Sequence, residues 1–386
     1  MKAQRARALI PIYGITFLGV VGYTILIPLL PFVAQRFSES ETLAGTLLTT
    51  TAFCAALASP LWGALSDRIG RRRALVGSQL CSIAGYVVLA TAGNLATVYL
   101  SRIAEGLGGG NLGVAQSAIA DVADEASRPR AYAIASAAFG AGFVVGPLLG
   151  GLLVRFGFAV PFLVAAGLQT LNVALTLAFL HETHFPSARA PRHPLRALLA
   201  TLRIPAVGSA IARQSLYVFA FTYLFTTFSL FLDRTLGVGP ALASGLLGVA
   251  GAVGLCAQLF GTERLVTRLG LQRATLAAFA LGIVAYAALG FVPGIIAFVA
   301  VVVAWAASGA ILRPLLATVL ADAAPEEARG ALLGLGDALN NAALIFSPTI
   351  GAAIVGFAPR LLGVVPALAL SVGFALTLRD RETPAA

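Results

Sequence analysis

Apolar residues run through the chain in long stretches, and charged residues are confined to the short breaks between them. Read between charged or Pro/Gly-rich breaks, the stretches predict helices over 8–33, 42–65, 74–92, 95–120, 131–154, 158–180, 206–232, 240–261, 274–291, 294–320, 331–356 and 361–378. A helix that crosses the hydrocarbon core of a bilayer takes about 17 to 25 residues, so all twelve are of spanning length. No sustained period-2 alternation is present, which sets aside a lipid-embedded barrel of strands. Composition agrees: 59% of residues are hydrophobic and 11% charged, at a mean hydropathy of +0.91. Soluble domains carry about 25% charged residues.

Charge then orients the helices. The net charge of +10 is almost wholly arginine, Lys2 being the single lysine. With the N-terminus inside, the inner segments hold nineteen of the 26 basic residues and the outer loops hold Arg36, Arg155, Arg234 and Arg360. This bias predicts an integral membrane protein with both termini on the cytoplasmic side. It also accounts for the basic balance without a nucleic-acid partner. Cys54, Cys81 and Cys256 fall inside apolar stretches and read as small core residues rather than a disulfide or metal set. The basic N-terminus leads into an apolar run too long for a signal peptide, so that run is expected to remain as the first span.

The longest inner connection, 181–203, carries Pro186, Pro191, Pro194 and all three histidines. It divides the helices six and six, which predicts an N-terminal bundle over 1–180, a cytoplasmic linker over 181–203 and a C-terminal bundle over 204–386. The halves resemble each other. Asp67-Arg68-Ile69-Gly70-Arg71-Arg72-Arg73-Ala74 aligns with Thr267-Arg268-Leu269-Gly270-Leu271-Gln272-Arg273-Ala274 at an offset of 200, and Gly146-Pro147-Leu148-Leu149-Gly150 aligns with Ser347-Pro348-Thr349-Ile350-Gly351 at 201. The expected fold is therefore an all-α membrane protein of twelve transmembrane helices in two pseudo-symmetric six-helix bundles, with a binding site between the halves near the midplane. His181-Glu182-Thr183-His184 lacks the His-Glu-x-x-His spacing and reads as polar linker, so no metal is expected.

Three motifs are more specific. Gly63-Ala64-Leu65-Ser66-Asp67-Arg68-Ile69-Gly70-Arg71-Arg72-Arg73 lies between helices 2 and 3, Arg102 with Gly106 in helix 4, and Gly142-x-x-x-Gly146-Pro147-x-x-Gly150-Gly151 in helix 5. Together they resemble the signatures of the major facilitator superfamily of transporters, the last being similar to its antiporter motif. The stretch from Arg102 through Ala120-Asp121 to Gly151, with Pro161-Phe162 and Leu171-Asn172, most resembles the tetracycline/proton antiporter branch of the drug exporters. The resemblance implies a conformational latch at Gly63, Asp67, Arg68, Gly70, Arg71 and Arg72, in which Asp67 docks on the N-terminus of helix 11. A carboxylate is at home at that positive end of a helix dipole. Asp121, at the inner end of helix 4, is placed to pair with one of the latch arginines, or to be a solvated helix-end acid. Tetracycline exporters carry membrane carboxylates in helices 1, 3 and 9, whereas the matching positions here fall near Gly19, Gly85 and Gly282. Any proton coupling must use other residues.

Glu105 is the foremost of those. It lies near the middle of helix 4, where an ionised carboxylate is expensive and usually functional, and Arg102 is three residues away on nearly the same face. A carboxylate between the opposed influences of burial and a guanidinium can exchange protons in the physiological range. A fixed structural ion pair is the alternative. Arg313 in helix 10 and Asp337 in helix 11 lie at similar depth on consecutive antiparallel helices and are expected to pair, Asp337 being a second candidate for coupling. Tyr217, Phe221, Phe225 and Phe228 form an aromatic stripe along helix 7. In the family, helices 1, 4, 7 and 10 line the cavity, so Tyr217, Phe221 and Phe225, with Tyr23, Trp305 and Asn341, are substrate-cavity candidates; lipid-facing packing is the alternative for the stripe. Pro28, Pro31, Pro147, Pro314, Pro348 and Gly108-Gly109-Gly110 are expected to permit kinks and close approach.

The leading expectation is a secondary active transporter of the multidrug type: alternating access, with protons moving in as an amphipathic or cationic small molecule moves out. It would work as a monomer, without cofactor beyond the proton gradient and without enzymatic chemistry. An uncoupled facilitator or importer of a metabolite such as a sugar or amino acid is the alternative, with Glu105 then a substrate anchor or a structural ion pair.

Overall fold

The computed structural model describes residues 2–38, 40–109, 111–123, 128–182, 205–323 and 329–382, with side chains described except at 2–8, 112, 128–129, 205–206, 321–322, 329–341 and 380–382. Among these residues the regular structure is entirely helical. The first half of the chain forms α1 (Lys2–Leu26), α2 (Leu30–Gln35), α3 (Glu41–Ile69), α4 (Arg71–Ala90), α5 (Leu95–Leu107), α6 (Asn111–Val122), α7 (Arg128–Leu153) and α8 (Ala159–Phe179). The second half forms α9 (Pro205–Leu236), α10 (Pro240–Cys256), α11 (Thr262–Leu269), α12 (Leu271–Ala288), α13 (Ile295–Ala323), α14 (Arg329–Phe357) and α15 (Val364–Glu382).

These helices make the twelve predicted spans, because three spans are interrupted. The first is α1 and α2, parted at Ile27–Leu29 beside Pro28 and Pro31, whose rings cannot join an unbroken hydrogen-bond ladder. The fourth is α5 and α6, parted at the glycines after Leu107. The eighth is α10 and α11, joined by a π-helical turn over Ala257–Gly261. Ten segments are long and apolar enough to cross a membrane by themselves. The α5–α6 pair falls short because of its break, and in α14 the apolar part with described side chains is the shorter Ala342–Phe357.

Both halves pack by one plan. In the first, α1 lies against α7 and α8, and α4 against α5 and α8; in the second, α9 lies against α14 and α15, and α12 against α13 and α15. The turns repeat too. Gly70 (φ 98°) precedes α4 and Gly270 (φ 78°) precedes α12, both in the left-handed region that only glycine adopts without strain. Contacts divide the chain into two compact units, Met1–Arg189 with Val238–Val249, and Ala190–Gly237 with Ala250–Ala386. The first part of α10 thus packs with the first unit. Close approach within that unit comes from one face of α7, where Gly142, Gly146 and Gly150 recur every fourth residue. A Cβ on Gly150 would lie 2.7 Å from the Ile25 carbonyl oxygen, and the Thr24 hydroxyl donates to the Gly142 carbonyl at 3.0 Å.

Candidate functional site

Helix α5 begins at a capping box, in which Thr97 N–H donates to Asn94 Oδ1 at 2.9 Å, and it buries Ser101, Arg102, Glu105 and Gly106 on one face. Arg102 is 1% exposed and Glu105 7%. Arg102 Nη1 stands 3.8 Å from Glu105 Oε2, close enough for attraction and too far for a hydrogen bond. Arg102 Nε donates to Ser101 Oγ at 3.2 Å, while Arg102 Nη2 and Glu105 Oε2 have no hydrogen-bond partner. Buried charged atoms are ordinarily satisfied, and leaving them open is costly. The carboxylate also lies within hydrogen-bonding reach of Thr51 on α3. Such a pair can gain and lose a proton at Oε2 without first breaking a tight salt bridge.

The surroundings show why the acid sits on α5. A Cβ on Gly85 would fall 2.7 Å from Glu105 N and 2.8 Å from its Cβ, so α4 meets α5 through bare backbone there. No side chain fits there. Tyr23 of α1 and Tyr86 of α4 stand within electrostatic reach of the Arg102–Glu105 pair. Tyr86 is a member of this group that the sequence reading missed. Gly19, in turn, faces Asn172 of α8, whose Nδ2 donates to the Ile15 carbonyl at 3.1 Å.

The turn between α3 and α4 gathers several of the residues expected to form a latch. Arg71 is buried and holds two acids: Asp67 Oδ1 at 2.7 Å and Asp121 Oδ2, from the end of α6, at 3.0 Å. Asp67 is itself exposed. Gly63 has open space where a Cβ would be, Arg68 is exposed, and Arg72 donates to the Leu177 carbonyl of α8. The sequence reading missed Glu182, taken there as polar linker. Its Oε1 accepts from the Arg71 backbone N–H at 2.6 Å, and its carboxylate occupies the space beside Gly70 that any side chain would need. An acid on the N-terminus of α4 satisfies an otherwise orphaned donor and complements the helix dipole. The start of α14, toward which the resemblance points Asp67, has its side chains outside the described residues.

In the second unit the aromatic stripe packs inward. Phe221 stacks on Trp305 of α13 (centroids 5.2 Å apart, 17° between planes) and on Phe225 (6.0 Å, 11°), and Phe228 lies 6.1 Å from Trp305. Tyr217 Oη donates to the Gly309 carbonyl at 2.8 Å. Tyr286 of α12, also missed, joins the cluster by accepting from Trp305 Nε1 at 2.8 Å. Arg313 is on the exposed side of α13. Asp337 and Asn341 lie on α14, but their side chains are outside the described residues, so the expected Arg313–Asp337 pair falls there as well. One small expectation is corrected: Cys256 is exposed rather than core, at the last residue of α10 before the π-helical turn Ala257–Gly261.

A helical membrane protein made of a repeated six-helix unit, with a buried arginine–glutamate pair in its first repeat, is a membrane transporter in its architecture. The chain belongs to the Major Facilitator Superfamily, whose pattern it matches over residues 12–348 and again over 214–386. It is 33% identical over 365 residues to the tetracycline resistance protein, class C, of Escherichia coli, a match that covers 92% of this chain and 90% of that one. It is 24% identical over 378 residues to multidrug resistance protein 2 of Bacillus subtilis, covering 95% and 93%. These relatives bear out the drug-transporter branch read from the motifs. Among solved structures, the human organic anion transporter MFSD10 superposes with a TM-score of 0.73 at 20% identity, covering 97% of this chain and 99% of that one. The nucleoside transporter NupG superposes with a TM-score of 0.78 at 13% identity, covering 96% and 99%, and these two likenesses are of fold.

Proposed function

We propose that the protein is a proton-coupled exporter of amphipathic or cationic organic compounds, working by alternating access of two six-helix bundles, 1–180 and 204–386, joined by the linker 181–203. It sits in a bacterial cytoplasmic membrane with both termini inside, acts as a monomer, and moves its substrate without chemical change or cofactor. The observation that carries the reading is the Arg102–Glu105 pair: a carboxylate 7% exposed, 3.8 Å from its guanidinium, with Oε2 unpartnered. An intramembrane acid held so loosely is suited to proton exchange, and intramembrane ionisable residues mark ion pathways by default. Arg102 serves as counter-charge when Glu105 is ionised. Arg71, with Asp67 and Asp121, forms the latch at the cytoplasmic end, and the rings of Tyr217, Phe221, Phe225 and Trp305, with Tyr23, contact substrate. Asp337 is kept as a second coupling candidate and Asn341 as a further cavity residue.

Relatives named for tetracycline and multidrug resistance support export, and the glycines at 19, 85 and 282 direct the coupling to Glu105. The test is proton release: purified protein in weakly buffered detergent with a pH dye should release protons when a transported cation is added. Release should vanish in Glu105→Gln. Equal release from both proteins sinks the assignment to Glu105.

A further inference from the structure

We propose that the second unit contains a subsite for a flat aromatic group, in which Trp305 is the fixed platform, Phe221 the ring that gives way to the ligand, and Tyr286 the residue that positions the platform. The inference rests on the transport reading for its purpose; its chemistry comes from the geometry of α9, α12 and α13. Trp305 has one polar atom, and that atom is committed: Nε1 donates to Tyr286 Oη at 2.8 Å, and Tyr286 Oη donates onward to the Ala220 carbonyl at 2.6 Å. The relay ties three helices together and fixes the indole plane. Tyr217 is pinned in the same way, through its 2.8 Å hydrogen bond to the Gly309 carbonyl.

Phe221 stands between these two fixed groups and differs from both. It has no polar atom, and it rests on Trp305 and Phe225 and against Gly309, where a Cβ would come within 2.9 Å of its Cδ2. It is half-buried, whereas Tyr217, Phe225, Tyr286 and Trp305 are buried. The cavity lined by Tyr217, Phe221, Tyr286 and Trp305 is about 10 Å³, room for about one water. A ligand therefore enters only if a ring leaves, and Phe221 is the ring whose departure breaks no hydrogen bond. A rotamer change opens a slot floored by the indole, in which a flat ring recovers the stacking that Phe221 gives up.

The duplication shows that this is a specialised place. Tyr286 and Trp305 correspond to Tyr86 and Glu105 at the offset of 200 that also relates Gly270 to Gly70. One tyrosine position thus stands beside an acid in the first repeat and an indole in the second. Among the described residues no acidic side chain lines this cavity, and the charge within electrostatic reach of its Tyr217 is Arg313. The subsite consequently selects first for a planar ring, which the stacked indole and phenyl faces recognise. Its ligands are flat fused-ring compounds, neutral or charged.

The protein has two tryptophans, Trp62 and Trp305, so the Trp305 emission is the difference between wild type and Trp305→Phe. Acridine, flat and neutral at pH 8, should quench that component saturably, and tetraethylammonium, charged and not flat, should leave it unchanged. Tyr286→Phe should shift the Trp305 emission and weaken acridine binding about five- to tenfold, the scale of one lost hydrogen bond. Phe221→Ala should bind acridine at least as tightly as wild type. Absence of saturable quenching in folded wild type, or loss of binding in Phe221→Ala, overturns the subsite. The two readings fail separately. Proton-independent transport with Trp305 quenching intact removes the exporter and keeps the subsite, and proton-driven export of acridine with Trp305 unperturbed does the reverse.

Discussion

Replacing Arg102 by Met removes the counter-charge of Glu105 at a buried site. At the observed separation of 3.8 Å, two unit charges in an effective dielectric of about 20 attract by about 4 kcal/mol. Truncating one member of a buried pair costs soluble proteins about 3–5 kcal/mol, and recruited water reduces that cost in a membrane protein. Arg102→Met should thus lower the thermal midpoint in detergent by several degrees. Glu105→Gln should cost less, since the amide keeps its shape and its reach to Thr51 and leaves Arg102 with Ser101 Oγ. The double variant Arg102→Met/Glu105→Gln should recover much of the loss, with a coupling energy above about 1 kcal/mol in the cycle. Thermal melts of the four proteins at one detergent concentration measure it. Additivity within about 0.5 kcal/mol would show that the two charges do not depend on each other, and the reading of a responsive pair would fall.

Other positions give sharper or simpler outcomes. Gly150→Ala drives a Cβ to within 2.7 Å of the Ile25 carbonyl oxygen, so α1 and α7 must separate, and stability should fall by about 1–3 kcal/mol. Gly14→Ala on the same α1, with open space around it, should be neutral or stabilising in the same melts. Glu182→Ala removes the acceptor of the Arg71 N–H and should destabilise by about 1 kcal/mol, with faster amide hydrogen exchange confined to the first turn of α4. Asp121→Asn should destabilise more than Asp67→Asn, because Asp121 is the less exposed of the two acids holding the buried Arg71. The reverse order, measured side by side, would transfer the main anchoring of Arg71 to Asp67.

What the sequence disclosed and what it hid divide along physical lines. Span number and the internal repeat were legible because hydrocarbon thickness imposes a length on every helix and duplication leaves its offset in the turns, as Gly70 and Gly270 show. Glu105 and Arg102 were legible because a charge in an apolar run is conspicuous. The breaks in the first and fourth spans were visible as Pro28, Pro31 and the glycines after Leu107, although the sequence reading ran each span through as one helix. Tyr86, Tyr286 and Glu182 were not legible. Tyrosines in apolar helices look like any packing residue until their hydroxyls find partners, and Tyr286 finds Ala220 from sixty-six residues away. Glu182 acts across 111 residues on a backbone N–H, a group with no sequence signature. The π turn at Ala257–Gly261 likewise contains no proline to announce it.

The central claim is that protons drive export through Glu105, and transport in proteoliposomes tests it most directly. Wild type and Glu105→Gln would be reconstituted at equal density and given a radiolabelled substrate cation, first with an imposed pH gradient and then in counterflow without one. The account predicts that wild type accumulates substrate against its gradient in the first condition, and that Glu105→Gln does not. Both proteins should exchange labelled for unlabelled substrate in the second. Undiminished uphill accumulation by Glu105→Gln would contradict the account.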